Sequence, residues 1–492
     1  MKLVAFALAL VVSPLAAEPT PLSPAELALR RLPAGFAVCR PEGAAEDFLC
    51  GKYSVFENRA TRAGRKIELN LVIIPARAEQ PEPDALFLFE GGPGGAVTEW
   101  APGLPQEFVN VLAKRDLVLV DQRGTGGSHP LQCDLGVRRE NPQTAYREPF
   151  PLEAIKVCRR ELEKVADLTQ YTTSIAMDDI EEVRAWLGYP KINLLGGSYG
   201  TRAAQVFARR HPGSVRSVVL TGLVGMNHRL PLYHARDGQR ALDLLFGLCA
   251  QERCGGAFPN LRDEFLEVLK RLETTPGRAT IDNPFKPGER VALAVDRRVF
   301  GEALRSALYS VRGSTRVPWV IHRAFQGDFA PFFELTVGWR VGIELGLAHG
   351  MYLSVSCAED TPFFSDADEA LEVAGTFLGD VRTRAQRAAC REWPRGEIPA
   401  DFHQPLRSDA PILILEGNLD PVTPPIWAYA ALATLPNARV VTIEGGHHGF
   451  EGLEPGDCIS GITDRFLATA DAKNLDVSCV GRLARPAFVV GE

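Results

Sequence analysis

The sequence has no apolar run of about 20 residues, the length that an α-helix needs to cross a bilayer, and it has no run of five basic residues. Lys and Arg number 54 against 61 Asp and Glu, so the formal net charge is −7. A transmembrane helix is therefore excluded. A nucleic-acid binder is disfavoured, because phosphate neutralisation needs clustered cations. The motif G-x-x-x-x-G-K-[ST] is also absent, which excludes a P-loop nucleotide site.

The amino-acid composition is typical of a globular protein. Of 492 residues, 46% are hydrophobic and 23% are charged. Chains longer than about 250–300 residues usually divide their core, so we expect one large domain with a second part appended or inserted. The oligomeric state cannot be predicted from this composition.

The N-terminus has the pattern of a targeting segment. Lys2 is followed by the apolar residues 3–12 and by the small-residue stretch Ser-Pro-Leu-Ala-Ala at 13–17. This pattern predicts a signal peptide over residues 1–17 with cleavage after Ala17. The alternative is a buried N-terminal helix. An exported protein, periplasmic or secreted, would fold where disulfides form.

Ten cysteines are consistent with that compartment, because an even count in an exported chain indicates disulfides. No C-x-x-C occurs, and no Cys has a His at zinc-ligand spacing, so we expect no structural metal and no cofactor. The spacing does not determine the connectivity. Pairing of sequence neighbours is the simplest hypothesis, and free buried thiols are the alternative. The cysteines are Cys39, Cys50, Cys133, Cys158, Cys249, Cys254, Cys357, Cys390, Cys458 and Cys479.

Short apolar runs, several of them followed by glycine-rich turns, alternate with helical patterns along much of the chain. Continuous apolar runs are typical of strands buried on both faces of a parallel sheet. Their alternation with helices, such as residues 176–187 and 199–210, predicts a layered α/β fold. The predicted strands are residues 66–75, 85–90, 116–120, 191–195, 215–220, 411–415 and 438–443.

The middle of the chain differs from both ends. From about residue 230 to 403 the strong strand patterns disappear, and amphipathic helix patterns interrupted by prolines replace them. We therefore expect a mainly helical cap inserted into a discontinuous core. The predicted parts are a first core segment at 18–229, the cap at 230–404 and a second core segment at 405–492.

The strongest chemical signal is Gly196-Gly197-Ser198-Tyr199-Gly200, a G-x-S-x-G motif between a predicted strand and a predicted helix. In this context the serine lies on a sharp turn that exposes its hydroxyl at the end of the sheet. The adjacent helix N-terminus favours a developing negative charge. The alternatives are a phosphate-binding glycine turn and an ordinary loop. We predict that Ser198 is a nucleophile.

A serine nucleophile needs a base, and in this type of fold the order along the chain is Ser, then Asp or Glu, then His. Asp420 lies in a loop beyond one predicted strand, and His447 and His448 follow the last strand. Glu416 is a competing acid, but it lies too close to its strand. The alternatives are a simple turn residue for Asp420 and a solvated loop for the histidines. Spacing alone does not decide between His447 and His448.

A second glycine-rich loop, Gly91-Gly92-Pro93-Gly94-Gly95, follows another predicted strand. Amides on such a loop pair with the amide that follows the nucleophile to bind an oxyanion. We therefore expect the backbone amides of Gly92 and Tyr199 to form an oxyanion hole. An ordinary Gly/Pro turn is the alternative.

Together these motifs resemble the proline iminopeptidases of the α/β-hydrolase family, and in particular the exported tripeptidyl aminopeptidases with a distinct C-terminal segment. In those relatives the sequence around the base is Gly-x-Gly-His-Gly, which implies that His448 is the base. The resemblance also implies a disulfide between Cys458 and Cys479. The residues that carry it are GGPGG (91–95), DQRGTGGS (121–128), GGSYGTR (196–202), SCAED (356–360), GNLDPVTP (417–424) and GGHHG (445–449).

The resemblance implies a serine hydrolase of the aminopeptidase type, tripeptidyl or prolyl, that cleaves peptides from a free N-terminus through an acyl-enzyme. A carboxylate in a desolvated pocket can bind the terminal ammonium, and Glu359 and Asp360 are the candidates. These two residues could instead cap a helix or pair with an arginine. The alternative functions are a carboxylesterase or amide hydrolase of small substrates, and a binding module without catalysis.

Overall fold

The computed structural model describes residues 22–491, and the predicted signal peptide at residues 1–17 lies outside them. No helix within that range has the length and apolar character needed to cross a membrane. The strands of this part are β1 (Phe36–Cys39), β2 (Phe48–Phe56), β3 (Lys66–Ile74), β4 (Leu86–Phe89), β5 (Leu117–Val120), β6 (Ile192–Gly197), β7 (Val215–Thr221), β8 (Gly277–Asp282), β9 (Arg290–Val295), β10 (Ile412–Gly417) and β11 (Ala438–Ile443). The α-helices are α1 (Pro24–Leu29), α2 (Leu104–Glu107), α3 (Val109–Leu112), α4 (Leu152–Leu162), α5 (Thr173–Leu187), α6 (Tyr199–Arg210), α7 (His234–Gln251), α8 (Arg253–Ala257), α9 (Leu261–Arg271), α10 (Arg297–Ala307), α11 (Val311–Phe325), α12 (Ala330–Gly346), α13 (His349–Glu359), α14 (Asp366–Val373), α15 (Val381–Glu392), α16 (Ile426–Ala431) and α17 (Asp457–Thr469).

Nine of these strands form one sheet in the order β1-β2-β3-β5-β4-β6-β7-β10-β11. The first three strands run antiparallel to their neighbours, and the six from β5 to β11 are parallel. The carboxyl ends of the parallel strands therefore meet at one edge of the sheet, where ligands bind in open α/β folds.

Helices cover both faces of this sheet. Successive side chains of a strand point to opposite faces, so alternate residues of one strand pack in two different cores. In β4, Phe87 and Phe89 pack in the core formed with helices α5 and α6. Leu86 and Leu88 pack in the core formed with helices α3 and α17. All four β4 side chains are buried, which explains why the strand is a continuous apolar run rather than an alternating one.

The cap extends from α7 to α15 and is mainly helical, as the sequence predicts. It also contains the antiparallel hairpin β8–β9, which the sequence analysis missed. In β8 only Gly277 and Ile281 are buried, so its apolar signal is weak. The cap also packs against residues that precede the predicted insertion. Tyr146 belongs to the apolar core of the cap, and α4 packs with α13 and α15.

Five disulfides are present, and every one joins sequence neighbours, as the simplest hypothesis expected. None of the cysteines in the described range is free. One bridge connects α13 to α15 within the cap, and another, also implied by the family resemblance, connects the start of α17 to the chain beyond that helix. The pairs are Cys39–Cys50, Cys133–Cys158, Cys249–Cys254, Cys357–Cys390 and Cys458–Cys479.

The segment after α17 returns from the core to the cap. Ala484 pairs with Glu454 of the core in an isolated antiparallel bridge. A few residues later, Phe488 is buried in the apolar core of the cap. The amide of Val489 donates a hydrogen bond to the carbonyl oxygen of Thr315 at 3.0 Å. The segment 484–490 therefore links the two parts of the molecule.

Candidate active site

Ser198 occupies the sharp turn between β6 and α6. Its backbone has φ 53° and ψ −124°, a left-handed conformation that a non-glycine residue adopts only when its surroundings impose it. The glycines around it are sterically required. A Cβ on Gly196 would contact the backbone of Gly200, and a Cβ on Gly200 would contact the carbonyl group of Phe89. The turn leaves the Ser198 side chain partly exposed at the carboxyl edge of the sheet.

Asp420 and His448 lie together in the loops that follow β10 and β11. His448 Nδ1 donates a hydrogen bond to Asp420 Oδ2 at 2.7 Å. The Thr423 hydroxyl donates to the same oxygen at 2.8 Å. The amides of Val422 and Thr423 donate to Asp420 Oδ1 at 2.7 and 2.9 Å. Four donors therefore hold the carboxylate in one orientation.

These contacts decide the charge of Asp420. Its side chain is fully buried, which by itself would favour the neutral acid. The His448 imidazole and the loop amides outweigh the burial and lower the pKa of Asp420 to about 2. Asp420 is therefore ionised at neutral pH. Because the Nδ1–H group of His448 donates a hydrogen bond to this carboxylate, the proton of the neutral imidazole is on Nδ1. Its Nε2 is therefore free to accept a proton from another group.

The side chains of His447 and Glu416 form other contacts and no hydrogen bond with Asp420 or His448 within residues 22–491. His447 is buried and donates from Nδ1 to the carbonyl oxygen of Leu308 in the cap at 2.7 Å, and burial lowers its pKa to about 4. Glu416 is buried within β10 and accepts from the amide of Leu223 at 2.9 Å. Burial raises the pKa of Glu416 well above its usual range. Of the two histidines, only His448 contacts Asp420.

Ser198 and His448 line the same cavity. Within residues 22–491, no hydrogen bond joins the Ser198 hydroxyl to His448; such bonds are often long before substrate binds. Gly222, at the end of β7, makes space for the imidazole, because a Cβ there would lie 3.1 Å from His448 Cε1. The structure thus brings Ser198, Asp420 and His448 to one edge of the sheet; that they act as a triad stays a prediction.

The glycine-rich loop after β4 lies beside Ser198. A Cβ on Gly91 would be 3.1 Å from Ser198 Cβ, so only glycine permits this approach. Gly92 has φ 113°, which is also glycine-specific. The amide of Tyr199 is the first in α6 and has no intrahelical acceptor. Gly92 lines the same cavity as Ser198, and Tyr199 follows Ser198 directly; the oxyanion hole expected at their amides stays a prediction.

The cap closes a cavity of about 250 Å³ over this edge. At the junction of α12 and α13, the amide of Ala348 donates to the carbonyl oxygen of Gly94 at 3.0 Å, which attaches the cap to the glycine-rich loop. Charged side chains of the cap line the cavity: Glu302 and Arg305 from α10, Arg340 and Glu344 from α12, and Arg382 from α15.

Glu359 and Asp360 do not line this cavity, and their predicted role in binding the substrate ammonium is corrected here. Both are fully buried. Glu359 accepts hydrogen bonds from the amide and hydroxyl of Thr173 at 2.7 and 2.8 Å, and that hydroxyl lies 2.7 Å from the Tyr199 hydroxyl. Asp360 pairs with the buried Arg202 of α6 at 2.8 Å. Both acids thus brace the helix that follows the nucleophile, which is the structural alternative considered from the sequence.

The charged cap residues were missed by sequence reasoning for a physical reason. Glu302 and Arg305 lie three positions apart on an amphipathic helix, a spacing that is typical of a solvated helix face. Their burial arises only when the cap folds over the sheet. Thr423 was also missed, although its position three residues after Asp420, in a turn, is a detectable signal for a hydroxyl that orients the carboxylate.

Comparison with known proteins agrees with this architecture. A family model described as alpha/beta hydrolase fold matches residues 84–277, and one described as TAP-like protein matches residues 376–479. The chain therefore has the α/β-hydrolase fold with a TAP-like C-terminal segment. The predicted fold class, family and enzyme class, a hydrolase of the serine peptidase type, are confirmed.

Two relatives match most of the chain, and a third matches a smaller part of it. The chain is 26% identical over 444 residues to serine protease Hip1 of Mycobacterium tuberculosis, covering 81% of each chain. It is 23% identical over 483 residues to tripeptidyl aminopeptidase of Streptomyces coelicolor, covering 87% of this chain and 82% of the relative. Proline iminopeptidase of Neisseria gonorrhoeae is 29% identical over 147 residues, covering 30% of this chain and 35% of the relative.

Proposed function

We propose that the protein is an aminopeptidase in which Ser198 attacks the carbonyl carbon of the scissile bond. His448 Nε2 takes the hydroxyl proton and then gives it to the leaving amine, while Asp420 fixes the imidazole tautomer. The amides of Gly92 and Tyr199 stabilise the oxyanion. Water then hydrolyses the acyl-enzyme by the same proton transfers in reverse.

The observation that carries this proposal is the 2.7 Å hydrogen bond between His448 Nδ1 and the buried, ionised Asp420. His448 lines the same cavity as Ser198, and Ser198 lies in the strained turn between β6 and α6. A solvated loop histidine would not need a carboxylate held by four donors. The names of the relatives point to peptides as the substrate class.

The cap supplies a different ammonium ligand from the two acids expected from the sequence. Glu302 is buried, and its Oε1 has no hydrogen-bond partner in the described part of the chain. Its other oxygen is only weakly engaged, 3.4 Å from Arg305 Nη2. A buried carboxylate oxygen without a donor is unfavourable until a ligand supplies one. We therefore assign Glu302 as the group that binds the terminal ammonium.

The size of the cavity limits the acyl group. Its volume is about 250 Å³, below the range of roughly 300–1,000 Å³ that is typical of pockets for drug-sized ligands. The space suits one amino-acid residue better than three. We propose that the enzyme removes single residues, in contrast to the activity in the name of the tripeptidyl relative.

A substrate panel tests the function. The hydrolysis rates of amino-acid anilides with a free amine, their N-acetyl derivatives and short acyl esters are compared for the purified protein and for Ser198→Ala. The free-amine anilides should be preferred, and Ser198→Ala should be inactive. Equal rates with acetylated substrates, or a preference for esters, would refute the aminopeptidase proposal and favour the esterase alternative.

The ammonium ligand is tested in the same panel. Glu302→Gln should raise KM for free-amine anilides by about tenfold or more, since a charge-assisted hydrogen bond is lost. Glu334→Gln serves as the control, because Glu334 lies exposed on α12. An unchanged KM in Glu302→Gln would exclude this residue from ammonium binding.

We also propose that the protein is exported. The signal-peptide pattern at residues 1–17 and the five disulfides support an oxidising compartment. Sequencing of the mature N-terminus should find Glu18 as the first residue. An intact Met1 on the folded, active protein would contradict this proposal.

A further inference from the structure

The cap also brings three guanidinium groups to the cavity, from Arg305, Arg340 and Arg382, and the proposed mechanism uses none of them. A desolvated cation is unfavourable without a counter-charge or a full set of acceptors. The partners of each guanidinium therefore indicate which charge the cavity lacks.

Arg340 has its acceptors within the protein. Its Nε and Nη2 donate to the carbonyl oxygen of Ala145 at 2.9 and 2.6 Å. Its Nη2 also donates to the carbonyl oxygen of Arg147 at 3.2 Å. Arg340 thus holds the 145–147 loop against the cap and is not available to a ligand.

Arg305 and Arg382 are not satisfied in this way. Arg382 donates one hydrogen bond, from Nη2 to the Tyr352 hydroxyl at 3.2 Å, and its Nε is buried without a partner. None of the carboxylates in residues 22–491 forms an ion pair with Arg382. Arg305 donates to the Tyr309 hydroxyl at 2.8 Å and lies 3.4 Å from Glu302. Its Nε is also buried without a partner.

Apart from Glu302, the surroundings of these two arginines are aromatic or positive: Arg305 lies over the ring of Tyr309, and Arg382 lies over the rings of Phe150 and Tyr352. His234 lines the same cavity; burial, followed by the charges of Arg305 and Arg382, lowers its pKa well below the usual range.

The carboxylates that line the cavity are Glu302, which is committed to the ammonium, Glu344, and, from the core, Glu90, whose pKa is raised by burial. The Glu344 carboxylate lies 3.8 Å from Arg147 and 3.7 Å from His349. The excess positive charge thus remains on Arg305 and Arg382.

We propose that the cavity selects substrates whose N-terminal residue has an acidic side chain, and that Arg305 and Arg382 bind its carboxylate. This inference rests on the proposed aminopeptidase function. When the ammonium engages Glu302 Oε1, the single negative charge of Glu302 is shared between the ligand and Arg305, and an aspartate or glutamate side chain restores the balance. The planar guanidinium groups match a carboxylate in geometry, and the cavity has room for one such residue.

The test compares the free-amine anilides of glutamate and of glutamine, which have nearly the same shape. In the wild-type enzyme, kcat/KM should be greater for glutamate by about tenfold or more, the effect of one charge-assisted hydrogen bond. The Glu/Gln ratio should fall by about tenfold in Arg382→Gln. Arg384→Gln is the control, because Arg384 lies on the same helix, partly exposed, and pairs with Glu148 and Asp380. It should keep the wild-type ratio.

A wild-type ratio of one or less, or an unchanged ratio in Arg382→Gln, would overturn the proposal. If Arg382→Gln does not fold, inhibition of the wild-type enzyme by free glutamate and by free glutamine decides, and glutamate must inhibit more strongly. Failure of the aminopeptidase function gives a different result. In that case acetylated anilides or esters are hydrolysed as well as free-amine anilides, and glutamate inhibition of that activity still tests the two arginines.

Discussion

Asp420 illustrates how a single residue is set for its task by its neighbours. Burial alone would make this carboxyl neutral, yet the imidazole, one hydroxyl and two amides lower its pKa to about 2. The same contacts fix the proton of His448 on Nδ1. Asp420 therefore acts through the histidine and contributes orientation and charge rather than proton transfer.

Asp420→Asn should lower kcat by roughly ten-thousandfold with little change in KM. The asparagine amide would present a donor to His448 Nδ1 and favour the tautomer whose Nε2 already carries a proton. Steady-state kinetics on a free-amine anilide, with thermal unfolding to verify folding, provides the measurement. A loss of less than about tenfold would remove Asp420 from the proposed triad.

The pKa of Glu359 makes the stability of the folded protein depend on pH. Burial raises its pKa to about 7, compared with 4.5 for an unperturbed glutamate. The folded protein therefore keeps a proton that the unfolded chain releases. Its stability should fall as the pH rises from 4.5 to 7 and should show no further change from this group above pH 7.

The comparison variant is Glu359→Gln, which keeps one oxygen to accept from the amide of Thr173 and cannot ionise. Relative to this variant, the wild-type unfolding free energy should decrease by about 3 kcal/mol between pH 4 and 7.5, at about 1.4 kcal/mol per pKa unit. Urea unfolding of both proteins at the two pH values measures the difference. Parallel pH profiles would show that Glu359 is ionised in the folded state.

Among single residues, the sequence predicts the functional candidates that lie in loops directly after a strand. Ser198, Asp420 and the pair of histidines at 447 and 448 were identified because each follows a predicted strand, and the family resemblance favoured His448. The structure brings Ser198, Asp420 and His448 together; their catalytic roles remain a prediction. Glu302, Arg305 and Arg382 could not be found in this way. Their side chains face the cavity only through the tertiary packing of the cap.

Among the elements, β11 and α6 have the bounds that the sequence predicts, and the turn between β6 and α6 could be predicted because a steric rule governs it. Gly196 and Gly200 have no space for a side chain, and α6 spans Tyr199–Arg210, the range predicted from the sequence. The missed strands β1, β2, β8 and β9 have weak or interrupted apolar patterns. Strands with so few buried side chains depend on their pairing partners rather than on their own composition.

The disulfide between α13 and α15 should stabilise the protein more than the short bridge in the α7–α8 region. The two bridges span 33 and 5 residues. Chain-entropy arguments assign them about 4 and about 2 kcal/mol. The double variants Cys357→Ala/Cys390→Ala and Cys249→Ala/Cys254→Ala, compared by urea unfolding, should differ in that order. The reverse order would show that strain or residual structure outweighs loop length.

At the scale of the whole molecule, the cap explains how one fold family supports a selective reaction. The sheet provides Ser198, Asp420 and His448 at its edge, and the cap limits what reaches them. The sequence predicts a mainly helical insertion here. It does not predict that residues before the insertion, including Tyr146, complete the cap core, because that packing joins segments far apart in the chain.

The small cavity should make the enzyme shorten peptides by one residue at a time. Mass spectrometry of a free-amine pentapeptide beginning with two glutamates should show loss of one residue and then of the next. The N-acetyl form of the same peptide should remain intact. Release of an intact tripeptide as the first product would mean that the cavity opens further than it does in the structure.

The link formed by residues 484–490 has a consequence for biosynthesis. Phe488 and Val489 pack against the cap, while Ser198 is made long before them and His448 shortly before. A nascent chain that has not reached this segment lacks part of the surface that positions its cap. Peptidase activity is therefore expected only in a chain whose residues 484–490 have folded onto the cap.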